Sequence, residues 1–143
     1  MKNTNKKKLL DTDIFSEVLK RKNKNVERKA EEYYKIFDTY TISMFTIIEI
    51  LTGFYEAGYY EKANRFWASV PNWEVLNIDM ESSEIVSRLY AVLSKEGTPI
   101  GYFDPLIAAI AIRYDLPLVT GNTKHYQRII DIGYYLELEN WKE

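Results

Sequence analysis

The amino-acid sequence predicts an α/β fold built on a central, mostly parallel sheet. Short aliphatic or β-branched runs alternate along the chain with longer amphipathic stretches. Parallel strands need helical crossovers between them, and those helices cover both faces of the sheet. The 143 residues contain no internal repeat and no Gly/Ser/Pro-rich linker, so residues 1–143 are expected as one domain, with 1–7 a polar N-terminal extension.

The elements follow in order. Leu9-Leu10, after the lysine run, is a short buried strand that ends at Asp11. Thr12 and Asp13 offer side-chain oxygens to cap a helix carrying Ile14, Phe15, Val18 and Leu19. Val26, Ala30, Tyr33, Tyr34 and Phe37 recur at helical spacing and predict a helix over about 25–37. The β-branched segment Tyr40–Ser43 reads as a strand, and Met44–Ala57 as a helix stopped by Gly58. A helix over about 60–69 ends before Pro71, Trp73–Ile78 reads as a strand, and an amphipathic helix over about 80–95 stops at Gly97 and Pro99. Asp104-Pro105 opens an Ala-rich apolar helix as a cap and first-turn pair, Pro117–Thr120 is a buried strand, His125 lies on a short helix, and Tyr134–Leu138 is a final strand.

Composition narrows the chemistry. Hydrophobic residues make up 46% and charged residues 28% of the chain, the balance of a folded globular domain. No apolar run reaches the length of a membrane span, and the lysine-rich start has no apolar secretory segment, so a cytoplasmic protein without membrane attachment is expected. The absence of cysteine excludes a thiol nucleophile and Cys-ligated metal sites, and the single histidine, His125, excludes a His-rich one. The net charge of −2 conceals an excess of five positive charges over residues 1–35 and of seven negative charges over the remainder. A basic end on an acidic body can steer a polyanion towards a carboxylate-lined site.

Three carboxylates stand out. Asp11 lies where the first strand ends, at the carboxyl edge of the sheet, although an Asp there also serves to cap a helix. Glu49 interrupts a helix that is apolar almost all round, where an ionised carboxylate costs several kcal/mol unless donors or a cation compensate. Thr46, Glu49 and Gly53 form one small, polar stripe on that helix, suited to the border of a cleft. Asp104 heads a helix apolar enough to lie deep in the fold. Carboxylates gathered at one sheet edge select a hard cation, Mg²⁺ or Mn²⁺, and metal-assisted phosphodiester hydrolysis is the chemistry they best support.

These segments resemble the PIN-domain ribonucleases and, within them, the VapC-like toxins of prokaryotic toxin–antitoxin pairs. The resemblance is carried by Leu9–Ile14, Thr46–Gly53, Phe103–Ala109, and Leu118–Asn122 with His125-Tyr126, and Trp141 stands where such chains often end. It implies a PIN-like three-layer α/β/α fold, Mg²⁺ or Mn²⁺ dependence and endonucleolytic cleavage of RNA. It also implies a small antitoxin partner and a homodimer. The first, second and third acids of the family fall on Asp11, Glu49 and Asp104, as catalytic and metal-binding residues. Thr12, Asp13, Thr120 and Asn122 take supporting or substrate-orienting places. The family often carries a fourth acid near Asn122, and no carboxylate lies between Asp115 and Asp131 here; the departure bears on how many metals act. Lys20, Arg21 and Lys22 are candidates to hold the RNA backbone, and Tyr55, Tyr59 and Trp67 to stack on unpaired bases.

Rival classes fit less well. A phosphoacceptor receiver domain would need a lysine after the last strand, where Leu136–Asn140 supplies none, and a haloacid-dehalogenase-type phosphatase would need a downstream lysine and a second acidic pair. The remaining alternative is a catalytically weak PIN module that binds RNA or a protein partner.

Overall fold

The computed structural model describes residues 6–95 and 101–143, so the expected helix stop at Gly97 and Pro99 lies outside the described residues. In chain order the elements are β1 (Leu9–Leu10), α1 (Thr12–Lys20), α2 (Lys24–Phe37), β2 (Thr41–Ser43), α3 (Met44–Glu56) and α4 (Tyr60–Ser69). A 3₁₀ turn (Val70–Asn72) leads into β3 (Glu74–Leu76), then α5 (Met80–Lys95), α6 (Asp104–Arg113), β4 (Leu118–Val119), α7 (Thr123–Asp131) and β5 (Leu138–Glu139).

The strands form one five-stranded, all-parallel sheet in the order β3-β2-β1-β4-β5. Register is set by pairs such as Leu9 with Leu118, Leu10 with Val119, and Ile42 with Val75. Alternation of side chains along each strand separates two cores. Leu9 and Leu118 face α5, α6 and α7, among Leu89, Ile107, Ile110 and Ile129. Leu10 and Val119 face the opposite layer, among Phe15, Val26, Tyr33, Ile47 and Trp141. The result is the expected three-layer α/β/α arrangement. Among the described residues no helix is long and apolar enough to cross a membrane.

The winding reverses between β1 and β4, neighbours in space but far apart in sequence. Crevices form outside the carboxyl ends of strands at such a switch point. Asp11 and Thr120 are the residues that leave β1 and β4 there, and the Asp11 amide donates to the Val119 carbonyl at 3.0 Å.

Local expectations are corrected at three places. The cap of α1 is Asp11 itself, whose Oδ1 accepts from the Ile14 amide at 2.9 Å, while Thr12 and Asp13 lie inside the first turn. Asp104 is the first residue of α6 rather than its cap, which is Phe103 and makes no side-chain cap bond. The final strand is Leu138–Glu139 rather than Tyr134–Leu138. β4 offers only Leu118 and Val119 as ladder partners, and Leu138 and Glu139 take them. Tyr134 and Leu136 instead pack on the α5–α7 core, and Tyr135 is 75% exposed.

Candidate active site

Asp11 is the most constrained of the three acids. Its side chain is 4% exposed, held by the first turn of α1 and by a hydrogen bond with the Thr120 side chain. Burial pushes its carboxyl from 3.8 up to about 7; the Thr120 and Ile14 donors oppose the rise, and the negative charges of Asp13 and Asp104 add to it. The Thr120 hydroxyl also accepts from the Asn122 amide at 3.0 Å, which fixes the turn leaving β4. Asn122 caps α7 by position, but its exposed side chain makes no cap bond.

Glu49 reaches the same edge from α3. Thr12 Oγ1 donates to Glu49 Oε1 at 2.7 Å and lies 3.0 Å from Thr46 Oγ1, so α1 and α3 are stitched by a chain of hydroxyls ending on the carboxylate. Burial raises the Glu49 carboxyl above its usual range, the Thr12 bond lowers it, and the charge on Asp104 raises it further. Thr46 is fully buried, whereas Glu49 and Gly53 line an open groove.

Asp104, free of capping duty, turns to α7. Its Oδ2 lies 2.8 Å from His125 Nδ1, an ion-pair distance, but off the line a hydrogen bond needs, so that buried nitrogen completes no bond. Placement at the first position of α6 also sets the carboxylate at the positive end of the helix dipole.

Tyr126 lies beside the candidate acids, and sequence reasoning missed it. It is 1% exposed, and its hydroxyl is buried without completing a hydrogen bond. Burial raises the phenol well above its ordinary value, and the charges of Asp11, Asp104 and Glu49, with a contact to the Asp104 side chain, reinforce the shift. One buried hydroxyl therefore senses all three carboxylates. The available signal was a tyrosine at the start of a helix opening just beyond a strand end.

Lys142 is a second such residue. Its Nζ lies 2.9 Å from Asp13 Oδ2, and the pair closes over Gly121, where a Cβ would stand 2.8 Å from Asp13 Oδ2 and 3.0 Å from Lys142 Nζ. The buried Trp141 anchors the tail that delivers this lysine. Asp13 is thus engaged with the chain's penultimate residue at the margin of the site.

Two cavities adjoin these elements. The larger, about 930 Å³, opens between α1, α2 and the 3₁₀ turn, and none of the three acids lines it; Arg21 falls there. The smaller, about 650 Å³, runs between α1 and α3 and includes Thr12 and Glu49 in its wall, with Lys20 and Tyr59 further out.

Among the described residues no three His, Asp or Glu side chains already converge closely enough to share an ion. Each acid is held by its own neighbour: Asp11 by its cap and Thr120, Glu49 by Thr12, Asp104 against His125. The donor set nevertheless suits a hard divalent cation. It is rich in carboxylate oxygen, burial and like charge raise two of its members, and a buried phenol beside it turns to Asp104 without completing a well-aligned hydrogen bond.

A family model for the PIN domain matches residues 8–130. The chain is 30% identical over 125 residues to ribonuclease VapC1 of Methanocaldococcus jannaschii, an alignment covering 87% of this chain and 82% of that protein. It is 28% identical over 125 residues to the tRNA(fMet)-specific endonuclease VapC of Shigella flexneri, covering 85% of this chain and 90% of that one. Among solved structures, VapBC-1 from nontypeable Haemophilus influenzae aligns with a TM-score of 0.76 at 25% identity, covering 94% of this chain and 98% of the other.

Proposed function

The chain belongs to the PIN-domain family, and from that premise we propose that it is a Mg²⁺- or Mn²⁺-dependent endoribonuclease hydrolysing RNA phosphodiester bonds, the toxin of a VapBC-like pair. The reading is supported by the placement of Asp11 at the end of β1 beside the switch point, with Glu49 hydrogen-bonded to the adjacent Thr12 and the charge on Asp104 raising both carboxyls. Similarity to VapC ribonucleases and to a VapBC structure supports both the reaction class and a small antitoxin as partner.

Asp11, Glu49 and Asp104 would hold the cation, which when bound supplies Lewis acidity and a water of lowered pKa. The protein's own part is orientation. The α1 cap bond and Thr120 fix Asp11, the Thr12 hydroxyl aims Glu49, and His125 on α7 lies against Asp104. Thr120 and Asn122 shape the rim, and the Asp13–Lys142 pair places a cation beside the acids, where a phosphate would approach.

A second reading, a catalytically weak PIN module that binds RNA or a partner, is favoured by one observation: the β4–α7 segment presents Asn122 and His125 in place of a fourth acid. Cleavage of RNA by purified protein, with and without chelator, beside Asp11→Asn and Asp104→Asn, separates the two. Chelator-sensitive cleavage absent from both folded variants is the expected result. Cleavage that persists in both variants overturns the site, and metal binding without cleavage of any RNA supports the weak module.

A further inference from the structure

Asp104 and Tyr126 are two halves of an unfinished contact. Asp11 accepts from the Ile14 amide at 2.9 Å, and Glu49 from the Thr12 hydroxyl at 2.7 Å. Among the described residues no donor completes such a bond to the Asp104 carboxylate, since His125 Nδ1, 2.8 Å from its Oδ2, lies off line. Tyr126 presents the converse: its hydroxyl is buried with no acceptor in line, although it turns to Asp104. Buried donors and acceptors are nearly always paired, and each exception calls for an explanation. The Tyr126 ring has no freedom to seek a partner elsewhere. It is 1% exposed and belongs to the core of Ile107, Ile110 and Ile129, so packing holds the hydroxyl in place.

We propose that Tyr126 is a positioning residue for a divalent cation at Asp104, its hydroxyl donating to that carboxylate and fixing the direction in which it faces the ion. The proposal rests on the metal-dependent reading of the three acids and adds to it a residue that touches neither ion nor substrate. Three features favour a donor here over plain core packing. The charges of Asp11, Asp104 and Glu49 all reach this hydroxyl, and a plain phenyl ring would fill the same space without burying a polar atom. A phenol enclosed by carboxylates keeps its proton, because a phenolate would add a further negative charge, so it serves them as a donor. Asp104 is also the least tied of the acids: Asp11 is held by Ile14 and Thr120 and Glu49 by Thr12, whereas Asp104 has His125 beside it without an aligned bond. A donor behind a metal-binding carboxylate orients it and tunes the site for the ion. Mg²⁺ demands a near-octahedral ligand set and Ca²⁺ accepts a looser one, so a fixed Asp104 favours the smaller ion.

The test uses the full chain and the metals alone. Mn²⁺ binding is followed by the electron paramagnetic resonance of the free ion, and Mg²⁺ and Ca²⁺ binding by displacement of Mn²⁺. Tyr126→Phe removes only the oxygen and is expected to weaken Mn²⁺ and Mg²⁺ binding roughly tenfold, and Ca²⁺ binding by a smaller factor. Tyr33→Phe is the control. Tyr33 is also buried, but its hydroxyl accepts from the Lys8 amide at 3.1 Å in the opposite core, so this variant should bind all three ions as wild type does. Urea unfolding in EDTA confirms that both variants are folded. An equal loss for all three ions, or a loss in Tyr33→Phe as large as in Tyr126→Phe, marks a general loosening of the fold and overturns the proposal. Unchanged binding in Tyr126→Phe also overturns it and leaves the cation reading of the three acids standing. No binding of any ion to wild type overturns both.

Discussion

Replacing Asp11 with Asn should stabilise the metal-free protein at neutral and alkaline pH. Burial raises the Asp11 carboxyl from 3.8 to about 7. The unfolded chain therefore releases this proton near pH 4 and the folded chain only near pH 7. Between those values the folded state holds more protons, so stability falls as pH rises and is level above both. Each tenfold difference in proton affinity corresponds to about 1.36 kcal/mol, so ionising Asp11 in the folded protein costs about 4 kcal/mol at pH 8. Asn retains the oxygen that caps Ile14 but adds an amide donor needing a partner, so the net gain expected is roughly 2 kcal/mol or more. Urea unfolding in EDTA at intervals from pH 4 to 8 measures it. Wild type should lose stability steadily to about pH 7; Asp11→Asn should lose less, keeping the smaller fall contributed by the raised carboxyl of Glu49. Saturating Mn²⁺ should narrow the gap at pH 8, because a ligand specific for the native state stabilises it by mass action. An Asp11→Asn protein no more stable than wild type at pH 8, with the wild-type pH profile, would refute the reasoning.

Three further outcomes follow from the same geometry. Tyr126→Phe removes a buried hydroxyl that turns to Asp104 without completing a well-aligned hydrogen bond, so in EDTA the variant should lie within about 1 kcal/mol of wild type, measured by urea unfolding. His125→Asp sets a carboxylate beside Asp104 and should tighten Mn²⁺ binding roughly tenfold by calorimetry while destabilising the metal-free protein. Gly121→Ala forces apart the Asp13–Lys142 pair; because both partners are flexible and partly exposed, the loss should stay below about 1 kcal/mol and vanish in a Lys142→Ala background, as urea unfolding of the four proteins would show.

What the sequence revealed depended on the range of the interaction. Leu9-Leu10, the break at Gly58 and the amphipathic stretch over 80–95 are local signals, and the strands and helices form where those signals lie. The final strand moved because its position is set by β4, a partner about twenty residues away, while the tyrosines that suggested it satisfy the core. Asp11, Glu49 and Asp104 were legible because a carboxylate at a strand end, or within an apolar helix, is locally anomalous. Their partners were not. Whether Asp104 caps its helix or braces His125 is decided by how α7 packs, and the Lys142–Asp13 pair joins residues at opposite ends of the chain. Tyr126 escaped notice because a buried tyrosine reads as core until its hydroxyl is seen to share an environment with all three acids.

The proposed nuclease requires Asp11 and Asp104, with Glu49, to hold a divalent cation. Titrating Mn²⁺ into wild type, Asp11→Asn and Asp104→Asn at pH 8, followed by the electron paramagnetic resonance of the free ion, tests it without requiring knowledge of the RNA. Saturable binding to wild type is expected, weakened at least tenfold in each folded variant. Binding unchanged in both variants, or no binding to wild type, would contradict it.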